Sequence, residues 1–498
     1  MAVSARDAIP NVDLYNLRDA KGLSQQDLAD CLNDLAARAR ESWSCTAQTV
    51  SRWERGVVER PDPLARRLLA EFFDVSIEEL GFTRPRSRSP HRSDPIPEDL
   101  ALVNLAQTPQ AAEPRVDRSQ GDWRAIRRAL NSHRHELSDV AARLYDDSMR
   151  LGTTGLLQCP SWIPTTPVDL AGISLDLHAS GSAELTGTEP EAAGSLPLAS
   201  LDQRYSRYSH AMRDLTAPKL FDNRLSYRIL DVDFTPSDGA PARMRFGFTT
   251  YFEMVDVCEL LAHETATAHL HVSDDSSAVG HPSWRRLPWR RLLGDPFDPS
   301  RRPILPSINT LTIRRSKTGS PSMVLHQRDS ASVAVAGGLL HVMPAGVFQP
   351  SSVLPAAQED DFDMWRNVMR EYSEEFLGNP EHGGDGTPID YGTTEPFVTL
   401  DAARRDGRLR IWCMGIAMDA LTLACETLTV CVIDDEVYDH VFADMVNTNT
   451  EGIVAATTVP FEEHTVRRLL SGVPYRLAPG AAGCIERAWH HRAHVLTP

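Results

Sequence analysis

Residues 14–56 constrain the fold more tightly than any other stretch of this chain, because they specify helices with defined ends. Leu14, Leu17, Leu23, Leu28 and Ala29 form the apolar side of two short helices joined at Gly22. Ser24 stands where an N-cap belongs, and Asp27 three positions on completes a capping box with it. A further helix starts at Thr46, turns Val50 and Trp53 inward and ends at Gly56 as a C-cap. Ala47, Gln48, Ser51, Arg52 and Arg55 are left pointing outward.

That outward set suits a DNA major groove. Glutamine pairs bidentately with adenine and arginine with guanine, while Thr46 and the first N–H groups of the helix can take a phosphate. The segment resembles the Cro-like phage-repressor (XRE) helix-turn-helix family, on L-S-Q-x-x-L-A and T-V-S-R-W-E-R-G. The resemblance implies a double-stranded DNA operator as partner. It gives Gln48 and Arg52 base-reading roles with Ala47 beside them, and makes Gln25, Thr46 and Arg55 phosphate holders; Ser51 joins the DNA-facing set by its outward position. One departure is the longer segment N-D-L-A-A-R-A-R-E-S-W-S-C between the two motif helices, where the family has a tight turn.

Composition bounds the rest. The chain has 498 residues, enough for about three domains at ~150 residues each. Net charge is −17 and the first 83 residues are themselves slightly acidic, which opposes broad polyanion binding and favours one locally basic face. Only Lys21, Lys219 and Lys317 are lysines among 51 basic residues, the mark of a GC-rich coding genome such as an actinobacterial one. Eight cysteines are scattered without a C-x-x-C pair, so free thiols in a reducing cytoplasm are expected. No apolar leader and no run of 18 apolar residues appears, so the expectation is a nucleoid-associated cytoplasmic protein without a membrane span.

The pattern P-D-P-L-A-R-R-L-L-A-E-F-F-D-V-S-I-E-E-L adds two helices through Leu64, Leu68, Leu69, Phe72, Ile77 and Leu80, closing an all-α five-helix domain at 1–83. Residues 84–115 are rich in Pro, Ser and Arg and read as a flexible basic linker. Residues 116–302 read as an α+β middle domain with no recognised motif. It opens on one amphipathic helix from about 121 to 145, carrying Trp123, Ile126, Leu130, Leu137, Val140 and Leu144. Strands are expected at Leu225–Phe234 and Ala242–Phe248, then a helix through Ala268. In that helix His263 and His269 are six apart, the wrong spacing for an H-E-x-x-H zinc site. Residues 303–498 alternate strands and helices, as an α/β domain does.

Within that last segment lies a charged helix in which Glu371, Glu374 and Glu375 fall at i, i+3 and i+4, on one face. Clustered like charge is stabilised by a hard cation with oxygen ligands. R-E-Y-S-E-E-F-L-G resembles the second half of the Nudix box, and Pro344–Gly346 its opening turn. The resemblance implies an α/β/α fold, places Glu371, Glu374 and Glu375 at the ligand positions for Mg²⁺ or Mn²⁺, and gives Arg370 a bracing salt bridge. Here Gly346 and Arg370 are separated by an insertion, Phe362 replaces the box's first Glu between Asp361 and Asp363, and the closing Gly378 comes one residue late. The combined expectation is a homodimeric, ligand-responsive transcriptional regulator. Its degenerate Nudix-like domain would sense a nucleotide-like effector, and the Trp123–Leu144 stripe or the C-terminal domain would supply the dimer seam. The alternative is a metal-dependent nucleoside-diphosphate-type hydrolase with a helix-turn-helix tether.

Overall fold

The computed structural model describes most of residues 11–82 and of 113–497. Residues 1–10, 83–112, 329–338, 381–387 and 454–458, and scattered positions including Gly22, Arg55, Gly56 and Ile77, lie outside the described set. The expected linker therefore falls almost wholly outside it. The chain forms two compact units, Met1–Ala106 and Gln107–Pro498.

The first unit contains helices Gln25–Arg38, Ala47–Glu54 and Pro63–Phe73. Ser24 and Asp27 make the expected reciprocal cap: Ser24 N donates to Asp27 Oδ2 at 2.8 Å, and Asp27 N to Ser24 Oγ at 3.1 Å. Leu14, Leu28, Ala29, Leu32, Val50, Trp53, Leu68, Leu69 and Leu80 are buried together. Asn33 holds the backbone of Cys45 through both its N–H and its carbonyl. Asn33 Oδ1 accepts from Cys45 N at 2.7 Å and its Nδ2 donates to Cys45 O at 2.9 Å. That pair of hydrogen bonds sets the chain immediately before Thr46, where helix Ala47–Glu54 begins.

The second unit is built on a mixed sheet. Strands Leu409–Asp419 and Cys425–Asp434 pair antiparallel, and Pro306–Arg315 lies parallel to the second. Alternation sends Leu428, Val430 and Val432 to one face, against Ala481, Ala482 and Ile485 of helix Pro479–His490. Cys431 and Ile433 go to the other face, whose core holds Val368 and Phe376 on the charged-helix segment and Leu400 on helix Phe397–Arg405. Helices thus cover both faces of the sheet. A bulge between Cys413 and Gly415 reverses the parity along its strand. Ile411 and Cys413 share a core with Ile416 and Met418 although their numbering alternates differently. Gly415 sits at φ +116°, and a Cβ there would lie 2.7 Å from Ile163 Cδ1.

The expected middle and C-terminal segments share this sheet, since Leu156–Leu157 and Val168–Asp169 both pair with Leu409–Asp419. Arg290, with no exposed surface, ties them further through Ala420 O at 2.8 Å, Leu421 O at 2.5 Å, Tyr145 Oη at 3.0 Å and Thr265 Oγ1 at 3.1 Å. A three-stranded sheet of Ser174–Leu177, Arg243–Thr250 and Leu225–Asp233 matches the two expected strands. It runs into helix Tyr251–His269, which is capped by Thr250 and Glu253. The single helix expected over 121–145 is instead two, Pro114–Ser132 and Arg134–Ala142, broken at His133 with φ −112° and ψ 21°. Its apolar stripe does not await a second copy. Trp123, Leu130, Leu137 and Val140 are buried in this chain's own core, and Arg127 and Arg134 reach the buried Glu259. Among the described residues, no helix is long and apolar enough to cross a membrane.

Candidate functional site

Helix Ala47–Glu54 divides its residues sharply. Val50, Trp53 and Glu54 are buried, whereas Gln48 and Arg52, one turn apart, are exposed. Thr46 is exposed, and its hydroxyl caps the helix by accepting from Thr49 N at 3.3 Å. Ala47 and Ser51 are half-buried beside them, and Arg55 lies outside the described residues. Gln25 is engaged inside the fold: its Nε2 donates to Glu54 Oε2 at 2.7 Å. Glu54 is also gripped by Arg18, with Nε to Oε1 at 2.6 Å and Nη2 to Oε2 at 3.2 Å. Arg18 Nη1 continues to Leu23 O at 2.6 Å, and Asn11 N donates to Glu54 O at 2.7 Å. The glutamate of W-E-R-G is thus the internal anchor that orients the outward face, a role its sequence position left unread.

The charged helix has a different shape from the expected one. It runs as α-helix over Met364–Glu371 and then widens to a π-turn over Tyr372–Phe376. Single π-turns inside helices recur at functional sites, because the extra residue re-aims the side chains that follow. Asp363 is the N-cap, accepting from Trp365 N at 2.7 Å and Arg366 N at 3.1 Å. Asp361 is buried, accepting from Tyr391 Oη at 2.6 Å and Ser351 N at 2.7 Å. Phe362 packs with Tyr227, Phe246 and Phe348. Asp361, Phe362 and Asp363 are therefore a buried acceptor, a ring packed on the aromatic cluster and a helix cap. Arg370 braces the helix as expected, but mostly through neutral partners. Its Nη2 donates to Gln349 O at 2.6 Å and Asn367 Oδ1 at 2.9 Å, with Asp361 Oδ2 3.7 Å from Nη1.

Two of the three glutamates reach the strand Ala345–Val347. Glu375 Oε1 accepts from Ala345 N at 3.2 Å. The Glu371 carboxylate rests so close to Gly346 that a Cβ there would overlap Oε1. Glu374 is half-buried. Among the described residues, no three His, Cys, Asp or Glu side chains gather as a metal-holding group. Mg²⁺ is commonly held by one or two carboxylates with waters and ligand phosphates, and Glu371 and Glu375 bring two carboxylates to this strand. The histidines of H-E-T-A-T-A-H are held separately. His263 Nδ1 contacts Tyr208 Oη at 3.1 Å, while His269 Nδ1 contacts Thr265 O at 2.9 Å.

Residues 14–83 match the family model described as the SP15 N-terminal domain. The first unit is similar to that family, and the match is not to the Cro-like family that its motif resembles. No curated protein matches the chain. Among solved structures, it is similar to the crystal structure of a NUDIX hydrolase from Alicyclobacillus acidocaldarius at 14% identity, over 37% of this chain and 90% of that one. The TM-score is 0.23, too low to carry an argument about fold or activity.

Sequence reasoning missed Asn33 and Glu54 in the first unit and the π-turn in the second. The bond from Asn33 to Cys45 spans 12 positions, and no local pattern signals it. Nothing local announces a π-turn.

Proposed function

We propose that this chain is a sequence-specific double-stranded-DNA-binding transcriptional regulator. The observation that carries the reading is the pair Gln48 and Arg52, exposed one turn apart on a helix whose other face is anchored by Val50, Trp53 and Glu54. Such a pair can read adjacent base edges, and the anchor keeps it from reorienting. One such helix covers few base pairs, so the operator is a two-half-site sequence bound by two copies. Selection from randomised duplexes with the full chain tests this. A recurrent motif is expected, and Gln48→Ala,Arg52→Ala should recover none. Selection of no motif by the native chain refutes the reading.

The effector reading places a nucleotide-like phosphorylated molecule at the carboxylate helix. Its support is the approach of Glu371 to Gly346 and the bond of Glu375 to Ala345 N. Glu371 and Glu375 would hold Mg²⁺ or Mn²⁺. A bound divalent ion would neutralise ligand phosphate charge there. The same geometry favours, as a second reading, metal-dependent hydrolysis of nucleoside diphosphate derivatives. Melting of the chain with Mg²⁺ and a nucleoside diphosphate, beside phosphate-release assays, separates the two. A sensor is stabilised without turnover and a hydrolase turns over. Neither response removes the effector role while leaving DNA selection standing.

A further inference from the structure

Strand Leu225–Asp233 turns successive side chains to opposite faces. Tyr227 enters the aromatic core, with its ring 4.6 Å from Phe348 and 5.0 Å from Phe362. Arg228 and Leu230 face a separate pocket of about 380 Å³, walled by Gly181 on one side and Pro299 on the other.

Arg228 is 6% exposed. Its Nη1 donates to Gly181 O at 3.1 Å and its Nη2 to Pro299 O at 3.4 Å, both neutral partners. Its Nε is buried without a hydrogen-bond partner. Among the described residues, no carboxylate lies within ion-pair distance of it. The charge that acts on it, Glu253, belongs to the helix cap and is bonded to Thr249 Oγ1 at 2.6 Å. Burial accordingly pushes the guanidinium pKa down. A buried cation compensated only by carbonyls is costly, and an anion delivered from solvent would relieve it.

The rim carries the opposite sign. Asp298 accepts from Ser300 N at 2.9 Å and Ser300 Oγ at 2.7 Å, which holds its carboxyl below the usual range. Glu184 is exposed and pairs with Arg301 at 2.5 Å. A simple anion would meet these carboxylates on entry, and a simple cation would meet Arg228 at the floor. A molecule bearing both charges satisfies each end. We propose that this pocket binds a small zwitterion of amino-acid type, with its carboxylate on Arg228, its ammonium toward Asp298 and Glu184, and its side chain along Leu230 and Pro299. The volume lies in the range of small-molecule sites.

Thermal melting of the full chain with each proteinogenic amino acid in turn, at millimolar concentration, tests this. At least one should raise the melting temperature saturably, as RT ln(1 + [L]/Kd) requires. Its carboxamide and its N-acetyl derivative should both lose the effect, since each removes one charge. Arg228→Met keeps the stem and removes the fork. It should abolish the response while leaving the unliganded chain as stable or more so. Asp298→Asn should weaken binding about tenfold. This second variant carries the test alone if Arg228→Met fails to fold. Glu375→Gln should leave the response intact, which separates this pocket from the carboxylate helix. No response to any amino acid, a response surviving in Arg228→Met, or equal binding of acid and carboxamide overturns the proposal.

Discussion

The Glu371 carboxylate lies directly on the backbone of Gly346, in a space only a residue without a Cβ leaves open. Residue 346 sits in the strand Ala345–Val347, which pairs with Pro306–Arg315 and cannot retreat without breaking that ladder. Gly346→Ala should therefore turn the Glu371 carboxylate aside at a small cost, because the overlap is with the end of a flexible side chain, read as a slightly lower urea midpoint. Pairing it with Glu371→Ala should return much of the loss, since the clash has two owners. Additive costs in the double variant would show that the two residues do not touch.

Much of the first unit was legible because its signals are local. Ser24 with Asp27 closes the cap that their spacing calls for, and Val50 and Trp53 point inward as a 3.6-residue period requires. What escaped were contacts between distant residues, such as Arg18 with Glu54 and Asn33 with Cys45, which no periodicity encodes. In the second unit the strands 225–234 and 242–248 were readable from apolar alternation, and the sharing of one sheet by the middle and C-terminal segments was not. Arg290 is wholly buried and donates to carbonyls contributed from residues 420 and 421, a long-range contact that no local pattern encodes. The box glutamates were readable as a cluster, but the π-turn that places Glu375 on Ala345 N depends on tertiary packing.

Arg18 and Glu54 form a buried pair whose geometry supports two bonds. Removing one partner leaves the other charge buried and unmatched, at ~3–5 kcal/mol. Glu54→Gln should thus loosen helices Gln25–Arg38 and Ala47–Glu54 together, seen as faster amide exchange across both. Arg18→Met combined with Glu54→Leu should restore protection, because burying two apolar groups is tolerated. Loss of DNA selection without any change in exchange would assign Glu54 a direct role instead.

Arg52 is exposed at the centre of the outward face, with Gln48 one turn before it. Arg52→Ala should cost ~1–3 kcal/mol of operator affinity and relax preference at one base pair. A phosphate contact behaves differently, weakening all sequences alike and lowering the salt slope by about one unit. Thr46→Ala should follow that second pattern, and binding isotherms across a salt series distinguish the two. Equal weakening on operator and random DNA by Arg52→Ala would assign it to the backbone rather than to a base.

His263 supplies the last test, through pH. Burial, followed by the nearby Arg127 charge, lowers its pKa to about 3, against the weaker raising effect of Glu259. Its ring stacks on Trp123 at 5.5 Å and meets the Tyr208 hydroxyl, so the neutral form is the one the fold accommodates. The unfolded chain binds a proton at this residue near pH 6.5, and the folded chain does not until about pH 3. In that window the unfolded state holds more protons, and stability rises with pH. The stabilising contribution is therefore complete above pH 6.5 and is lost progressively as pH falls toward 3. His263→Gln keeps a hydrogen-bonding group and removes the titration. Its stability should fall less steeply than that of the native chain between pH 6.5 and 4, the steeper native slope being the signature of His263. Denaturant titrations at stepped pH measure both slopes, and parallel curves would place the protonation elsewhere.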